Sequence, residues 1–298
     1  MTRPGTVIYE CLYAKDQPLS DPILTPLAIA NDHPEWRELQ AFLEIYRRGD
    51  WRQHDFTGMF SPKFALKTHI GVDRFLGFVA ENADADVCLI NPFPQIGYWS
   101  YNVWMQGEHA HPGLGTATQA VLDAVGIPWQ LREVPRHGPG LLAYGNFWVA
   151  RPAFWQAYVG EVLQPIADFL LREPSHQAAL GILSATRHTD TAPFLPFMIE
   201  RLFSTYLSLH PQWKVAARTV GLREIVDNYC LNDFERLLIK TLYAEVDAAD
   251  AQSNFDPSMI KHMNMICSLF QQHFFDYYAH RVHPHSGKSV FTGKPTSD

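Results

Sequence analysis

A chain of 298 residues, 47% of them hydrophobic, is long enough to bury a large core and too apolar to be intrinsically disordered. Its formal net charge of -7, with scattered basic residues, excludes a protein whose main partner is a nucleic-acid backbone. The sequence has no apolar run of the roughly 18 residues that span a bilayer, and no signal-peptide core. Together with four widely spaced cysteines, which predict reduced thiols, these features predict a cytoplasmic protein.

The first half of the chain alternates strand-like and helix-like segments. Strands are predicted at 6–14 and 57–60, and apolar residues repeat at helical spacing between 34 and 48. A second helix is predicted from 62 to 81, and it leads into a short buried strand at 87–90. Because a strand, a helix and a strand in this order form a βαβ unit, the strands at 57–60 and 87–90 are expected to pair in parallel.

The second half becomes almost wholly helical. A helix at 114–125 and a strand at 141–150 are followed by a long helix from Pro152 that Pro165 should kink or break. Later helices are predicted at 196–209, 232–247 and 257–281.

This pattern divides the chain into three parts. Residues 1–160 are expected to form an α/β portion, and residues 161–282 a helical portion packed on it. Residues 283–298 are rich in Pro, Gly, Ser and Lys, which predicts a disordered tail.

Two lysines and an asparagine are candidate ligand contacts. Lys63 and Lys67 fall in the opening turns of the predicted helix, where a bound phosphate would offset their unfavourable interaction with the helix dipole. The alternative is a pair of solvated lysines. Asn91 follows the strand at 87–90, and open α/β sheets bind ligands beyond the carboxyl ends of their strands.

Asp84 and Asp86 form a DxD pair, with which many nucleotide-sugar enzymes hold a divalent metal against a diphosphate. This pair precedes the strand, whereas a metal motif of that kind follows one. A solvated strand entrance is therefore the alternative. The sequence leaves open whether the protein uses Mn²⁺ or Mg²⁺.

Glu108, His109 and His111 are concentrated in a short polar stretch. An HxH pair suits zinc and a neighbouring glutamate suits a general base, although a matching third ligand is not evident. Contact with a polar substrate and an ordinary polar loop are the alternatives.

Glu200 and Arg201 lie inside an apolar helix, where desolvation would raise the pKa of the carboxyl and favour a catalytic base. A structural ion pair is the alternative. Asn146 is either a core amide or a group that recognises hydroxyls. Trp104 and Trp148 are predicted to stack on sugars or to belong to the core.

Several of these stretches, taken in order, resemble bacterial glycosyltransferases of capsule and O-antigen gene clusters. The similarity covers about residues 55 to 210 and depends on the order of the segments. The segments that carry it are Thr57–Phe64 with Lys67 and Thr68, Asp86–Phe93, Trp104 with His111–Gly113, Gly145–Ala150 with Phe154 and Trp155, and Ile199–Ser204.

The resemblance implies a GT-A-like, Rossmann-type, mostly parallel sheet with flanking helices and an α-helical C-terminal portion. It implies transfer of a sugar from a nucleotide sugar to a glycan or lipid-linked glycan acceptor, which would bring the protein to the inner face of the membrane. The implied donor-binding residues are Lys63, Lys67, Asn91 and Asp86. The implied acceptor-side residues are His111, Trp104, Asn146, Trp148 and Arg201, with Glu200 or Glu108 as the base.

Two other functions compete with this interpretation. The first is a metal-dependent hydrolase that uses His109 and His111. The second is a non-catalytic glycan-binding protein in which aromatic side chains hold the sugar and Glu200 is structural.

Overall fold

The computed structural model describes residues 5–12, 16–186 and 192–285. Within these residues the fold is α/β, and its main sheet has six strands in the order β2-β1-β3-β5-β4-β8. A pair of two-residue strands, β6 and β7, forms a separate antiparallel ladder. The strands are β1 (Thr6–Leu12), β2 (Thr25–Ala28), β3 (Phe56–Phe60), β4 (Val87–Leu89), β5 (Trp148–Ala150), β6 (Ala185–Thr186), β7 (Ala192–Pro193) and β8 (Val215–Ala217).

Helices cover both faces of the sheet and form most of the C-terminal half. The α-helices are α1 (Glu38–Arg48), α2 (Phe64–Thr68), α3 (Val72–Glu81), α4 (Val103–Ala110), α5 (Leu114–Val125), α6 (Pro152–Phe154), α7 (Gln164–Arg172), α8 (Gln177–Ile182), α9 (Leu195–Leu209), α10 (Leu222–Glu224), α11 (Asp233–Gln252) and α12 (Pro257–Tyr278). Single 3₁₀ turns lie at Pro34–Trp36, Asp50–Arg52, Pro94–Tyr98 and Leu131–Glu133, and π-helical stretches at Trp155–Leu163 and Ile225–Tyr229.

The prediction that β3 and β4 pair in parallel is wrong. Both strands run in the same direction, but β5 lies between them and pairs antiparallel with each. The remaining ladders of the main sheet, within the described ranges, are parallel. Since β5 is antiparallel to both neighbours, its amino end lies at the edge of the sheet where β3 and β4 have their carboxyl ends.

The helix predicted from 62 to 81 is two helices. His69 adopts a left-handed conformation, with φ of 59°, and ends α2 before α3 begins at Val72. The stretch around Glu108, predicted as a loop, instead belongs to α4. Pro165 follows a π-helical stretch, and helical structure continues through it from Pro152 to Arg172.

The expected division of the chain at residue 160 falls inside the π-helical stretch. β8 lies in the part expected to be helical, and it pairs with β4 of the sheet. The two parts therefore share one sheet. Of the expected disordered tail, His283 and His285 are buried, and residues 286–298 lie outside the described residues.

A buried aromatic stack joins the sheet to the helices. Trp148 of β5 is fully buried and stacks on Phe42 of α1 at 5.0 Å and on Phe203 of α9 at 5.1 Å, between ring centroids. All four cysteines are buried and free, as predicted. Among the described helices, none combines the length and the apolar character that a membrane span requires.

Gly58→Ala should destabilise the protein by roughly 3 kcal/mol, because overpacking a buried position forces the neighbouring backbone to move. A Cβ at residue 58 would lie 2.3 Å from the backbone oxygen of Trp148, across the ladder between β3 and β5. Gly77→Ala in α3 is the matched control, since its Cβ meets no atom within 4 Å. Urea unfolding should show a gain of up to about 1 kcal/mol for the control. Equal stabilities would contradict the close packing at Gly58.

Glu235 should make the stability of the fold depend on pH. It is 1% exposed, and burial raises the pKa of its carboxyl from 4.5 to about 7. Because the folded state holds this proton more tightly, the free energy of unfolding should fall as pH rises from about 4.5 to 7, by up to about 3 kcal/mol. In Glu235→Gln this part of the pH dependence should disappear. An unchanged slope in that variant would contradict the prediction.

Candidate active site

The candidate site lies at the edge of the sheet where the parallel strands have their carboxyl ends. Asn91 and Phe93 follow β4, and Tyr144 and Asn146 precede β5 at the same edge. Lys67 comes from α2 after β3, and Glu200 from α9. We call these six residues the carboxyl-edge site. A ligand crevice at this edge is the usual arrangement in open α/β sheets.

Phe93 is the common contact of the carboxyl-edge site. The Lys67 ammonium lies 5.6 Å from the centroid of its ring, and the ring of Tyr144 lies 6.3 Å away. The Tyr144 hydroxyl is buried and lacks a hydrogen-bond partner among the described residues. A positive charge over an aromatic face is favourable, so this contact favours a position of the Lys67 ammonium beside Phe93.

Glu200 keeps 25% of its side-chain surface accessible, whereas the neighbouring Arg201 keeps 3%. Burial of its carboxyl raises the pKa of Glu200, and the charges of Lys67 and Arg201 counteract that rise. Glu38 raises the pKa further, and Arg37 lowers it. Glu200 is thus a partly desolvated carboxylate, open to solvent, with a basic group beside it, which suits it to accept a proton near neutral pH.

Asn91 and Asn146 shape the backbone at the edge of the sheet. The Asn91 Oδ1 accepts a hydrogen bond of 3.0 Å from the Phe93 backbone N–H. Gly145 and Asn146 have φ of 82° and 55°, a left-handed conformation that glycine and asparagine tolerate best. The Asn146 Oδ1 is buried without a hydrogen-bond partner among the described residues. A buried amide oxygen without a hydrogen bond is unfavourable, which makes Asn146 a candidate for contact with a ligand hydroxyl.

Arg201 connects α9, the helix that carries Glu200, to α4 through hydrogen bonds. Its guanidinium donates to the backbone oxygens of Val103 at 3.1 Å and Phe197 at 2.9 Å, and to the Gln106 side chain. A Cβ at Gly107 would lie 2.5 Å from the Arg201 Nε, so α4 can approach α9 closely only because residue 107 is glycine. The buried guanidinium is consequently a structural tie between these helices, and it acts on the site through its charge.

A narrow crevice runs from Asn91 towards β8. Its cavity volume is about 50 Å³, room for a few water molecules. Arg218 lines it, and its Nη1 is buried without a hydrogen-bond partner among the described residues. At the far wall the Arg136 and Asp250 side chains form an ion pair of 2.9 Å. The crevice provides a basic group next to the carboxyl-edge site.

Asp84 and Asp86 lie at the opposite edge of the sheet. The Asp84 carboxylate is exposed and pairs with the Lys214 ammonium, whose hydrogen bond lowers the pKa of Asp84. The Asp86 Oδ2 accepts a hydrogen bond of 2.9 Å from the Lys214 backbone N–H. The structure does not bring these carboxylates together with Lys67 and Asn91. Both carboxylates bind Lys214 and so hold β8 at the amino edge of the sheet. They are at the wrong edge to hold a metal ion against a donor that binds at the carboxyl-edge site.

The Glu108 carboxylate caps a helix. It accepts hydrogen bonds from the backbone N–H groups of Gly113 at 2.7 Å and Gly115 at 3.2 Å, at the start of α5. Glu108 therefore provides hydrogen-bond acceptors for the backbone N–H groups at the start of α5, and it is not part of the carboxyl-edge site.

His109 and His111 do not form a pair. His111 is buried against Phe197, with ring centroids 3.7 Å apart, while the His109 Nε2 lies 2.9 Å from the Asn264 Oδ1. The described residues contain no group of three or more His, Cys, Asp or Glu side chains arranged to hold a metal ion.

The predicted aromatic platforms belong to the core. Trp148 is fully buried in the aromatic stack described above, and Trp104 is 7% exposed and donates from Nε1 to the Thr205 hydroxyl at 2.8 Å. Lys63 is exposed, at the N-terminus of α2, which has five residues. A helix of five residues has too small a dipole to favour a phosphate at its N-terminus. The positive charge of Lys63 itself remains the reason to assign this residue to the site.

Phe93 belongs to the segment 91–93, which the sequence indicates as a ligand contact at the exit of the strand. Tyr144, Arg218 and His285 were not predicted as site residues. The strand β8 that precedes Arg218 was not predicted, and the composition around His285 indicated disorder.

No protein-family model, no curated protein and no solved structure matches the chain.

Glu108→Ala should lower the free energy of unfolding by about 1 kcal/mol, the usual cost of removing a helix N-cap acceptor. Glu108→Gln retains an acceptor oxygen and is the matched control. Chemical unfolding monitored by circular dichroism measures the difference. If Glu108→Ala were as stable as the parent, the capping role would be wrong.

Proposed function

We propose that the protein is a glycosyltransferase that moves a sugar from a nucleotide-sugar donor to an acceptor hydroxyl at the carboxyl-edge site. The observation that carries the proposal is that the mostly buried Glu200 carboxylate and the Lys67 ammonium interact at the carboxyl edge of a mostly parallel sheet. Such sheets bind nucleotides at this edge. The resemblance to glycosyltransferases of capsule and O-antigen clusters, and hence a GT-A-like sheet and a glycan acceptor, supports the same assignment.

Lys67 is assigned to the donor diphosphate, with Lys63 and Asn91 nearby. As the bond between the anomeric carbon and the diphosphate oxygen breaks, the electron pair leaves with the diphosphate. A fixed ammonium stabilises that growing negative charge. The Lys67 ammonium is held over Phe93 and is therefore oriented before the donor binds.

Glu200 is assigned as the general base of an inverting transfer. The acceptor oxygen attacks the anomeric carbon while its proton passes to the Glu200 carboxylate. Burial raises the pKa of Glu200, which makes the carboxylate a stronger proton acceptor, and the positive charge of Lys67 counteracts that rise. Asn146 and Tyr144, with buried unsatisfied oxygens, are assigned to hydroxyls of the sugars.

Binding of nucleotides tests the proposal most simply. Calorimetry with UDP, GDP, CMP and dTDP derivatives, with and without Mn²⁺, should reveal binding of at least one of them. An absence of binding across the panel would overturn the proposal. Binding would also separate it from a glycan-binding protein, which needs no nucleotide.

Glu200→Gln should lower kcat about 100-fold or more and leave the affinity for the donor nucleotide unchanged, because the amide cannot accept the proton. Glu81→Gln, at an exposed position of α3, is the matched control. The measurement is transfer to acceptor, with the nucleotide Kd determined in parallel. Full turnover by Glu200→Gln would show that Glu200 is not the base.

Lys67→Ala should weaken binding of the donor nucleotide about tenfold, the scale of one lost charge-assisted hydrogen bond. It should also move the acid limb of the pH profile to higher pH, since Lys67 lowers the pKa of Glu200. Lys261→Ala, exposed on α12, is the matched control. If both lysine variants gave the parent pH profile, the coupling between Lys67 and Glu200 would be wrong.

A further inference from the structure

The chain after α12 returns to the carboxyl-edge site. His283 and His285 are each 9% exposed, although their sequence context predicts disorder. His283 packs on Tyr278 at 4.7 Å and on Phe274 at 5.4 Å between ring centroids. The His285 ring then lies 5.6 Å from Phe93. These contacts hold residues 283–285 beside α2, where Lys67 contacts the same Phe93 ring.

Basic groups act on the His285 imidazole. Burial lowers the pKa of His285, and His283, Lys67, His69 and Lys63 lower it further in that order, to about 4. His285 is therefore neutral at pH 7 in the unliganded protein. The positive charges of Lys63 and Lys67 beside a neutral, buried imidazole attract an anion to this end of the site.

An unsatisfied polar atom gives a second, independent sign of a ligand. The Nδ1 of His285 is buried and has no hydrogen-bond partner within the described part of the chain. Its backbone N–H donates to the His283 Nδ1 at 3.2 Å, which fixes the segment in a tight turn. Because a buried nitrogen without a partner is unfavourable, a ligand that bonds to it gains affinity.

We propose that residues 283–285 complete a pyrophosphate site, in which His285 donates a hydrogen bond to the anion that Lys67 contacts from α2. The assignment rests on the proposed function, because it makes the C-terminal segment part of the donor site. The anion would raise the pKa of His285, so that binding takes up a proton. His283 is the positioning residue that seats the segment on Tyr278.

His285→Phe tests the assignment, because phenylalanine keeps a ring on Phe93 and removes both nitrogens. His280→Phe, at an exposed position between α12 and residues 283–285, is the matched control. Inorganic pyrophosphate and the tightest-binding nucleoside diphosphate serve as probes in titration calorimetry near pH 6, in two buffers of different ionisation enthalpy. Circular dichroism and the unfolding midpoint establish that the variants are folded.

The parent and the control should bind both probes with uptake of a proton. His285→Phe should bind about tenfold or more weakly, with less uptake. Binding of pyrophosphate that depends on His285, without binding of any nucleotide, would support the anion site and contradict the glycosyltransferase proposal. Equal affinity and equal proton uptake in the parent and His285→Phe would overturn the assignment while leaving the proposed function intact, and failure of the parent to bind either probe would overturn both.

Discussion

The buried ring of Trp148 holds the candidate site together. Trp148 belongs to β5, and its stacking on Phe42 and Phe203 fixes α1 and α9 against the sheet. β5 can lie between β3 and β4 because Gly58 leaves room for its backbone. The same strand brings Asn146 and Tyr144 to the carboxyl ends of its neighbours. Packing of one aromatic residue thus places groups from both halves of the chain at one edge.

The charged side chains determine which chemistry the carboxyl edge of the sheet can support. The charge of Lys67 acts on both a carboxylate and an imidazole. It counteracts the rise in the pKa of Glu200 and adds to the fall in the pKa of His285. The effects differ in consequence, because a nearby positive charge favours the ionised form of a carboxylate and the neutral form of an imidazole. An anionic donor that pairs with Lys67 would weaken both effects. Glu200 would then become a stronger base, and His285 would become cationic, when the donor is in place.

The elements that could be predicted from sequence are those whose pattern depends only on residues close together in the chain. The α5 helix ends at Gly126 as predicted, and α9 and α12 follow their apolar periodicity within a few residues. The inserted strand β5 and the edge strand β8 have three residues each, and their place depends on partners distant in sequence. Periodicity contains no information about such pairing. The βαβ rule failed because it assumes that consecutive parallel strands are neighbours.

Prediction of the site had a similar limit. Asn91 was expected at the carboxyl edge because it follows the strand at 87–90, and it lies there. Glu200 lies in α9, which does not follow a strand of the main sheet, so strand order could not predict its place. The roles of Glu108, Trp104 and Arg201 could not be predicted, because a helix cap, a core indole and a buried guanidinium differ from site residues only in their three-dimensional partners. His285 was not predicted as a site residue because the composition of residues 283–298 is typical of disorder.

Hydrogen–deuterium exchange with a bound nucleoside diphosphate measures most directly where the ligand lies. We expect slower exchange in three segments of the carboxyl edge: the α2 region, residues 91–93, and residues 279–285. The amino edge around Asp84, Asp86 and Lys214 should exchange at its unliganded rate. Protection confined to that amino edge, or an unchanged rate in all three carboxyl-edge segments at saturating nucleotide, would contradict the account.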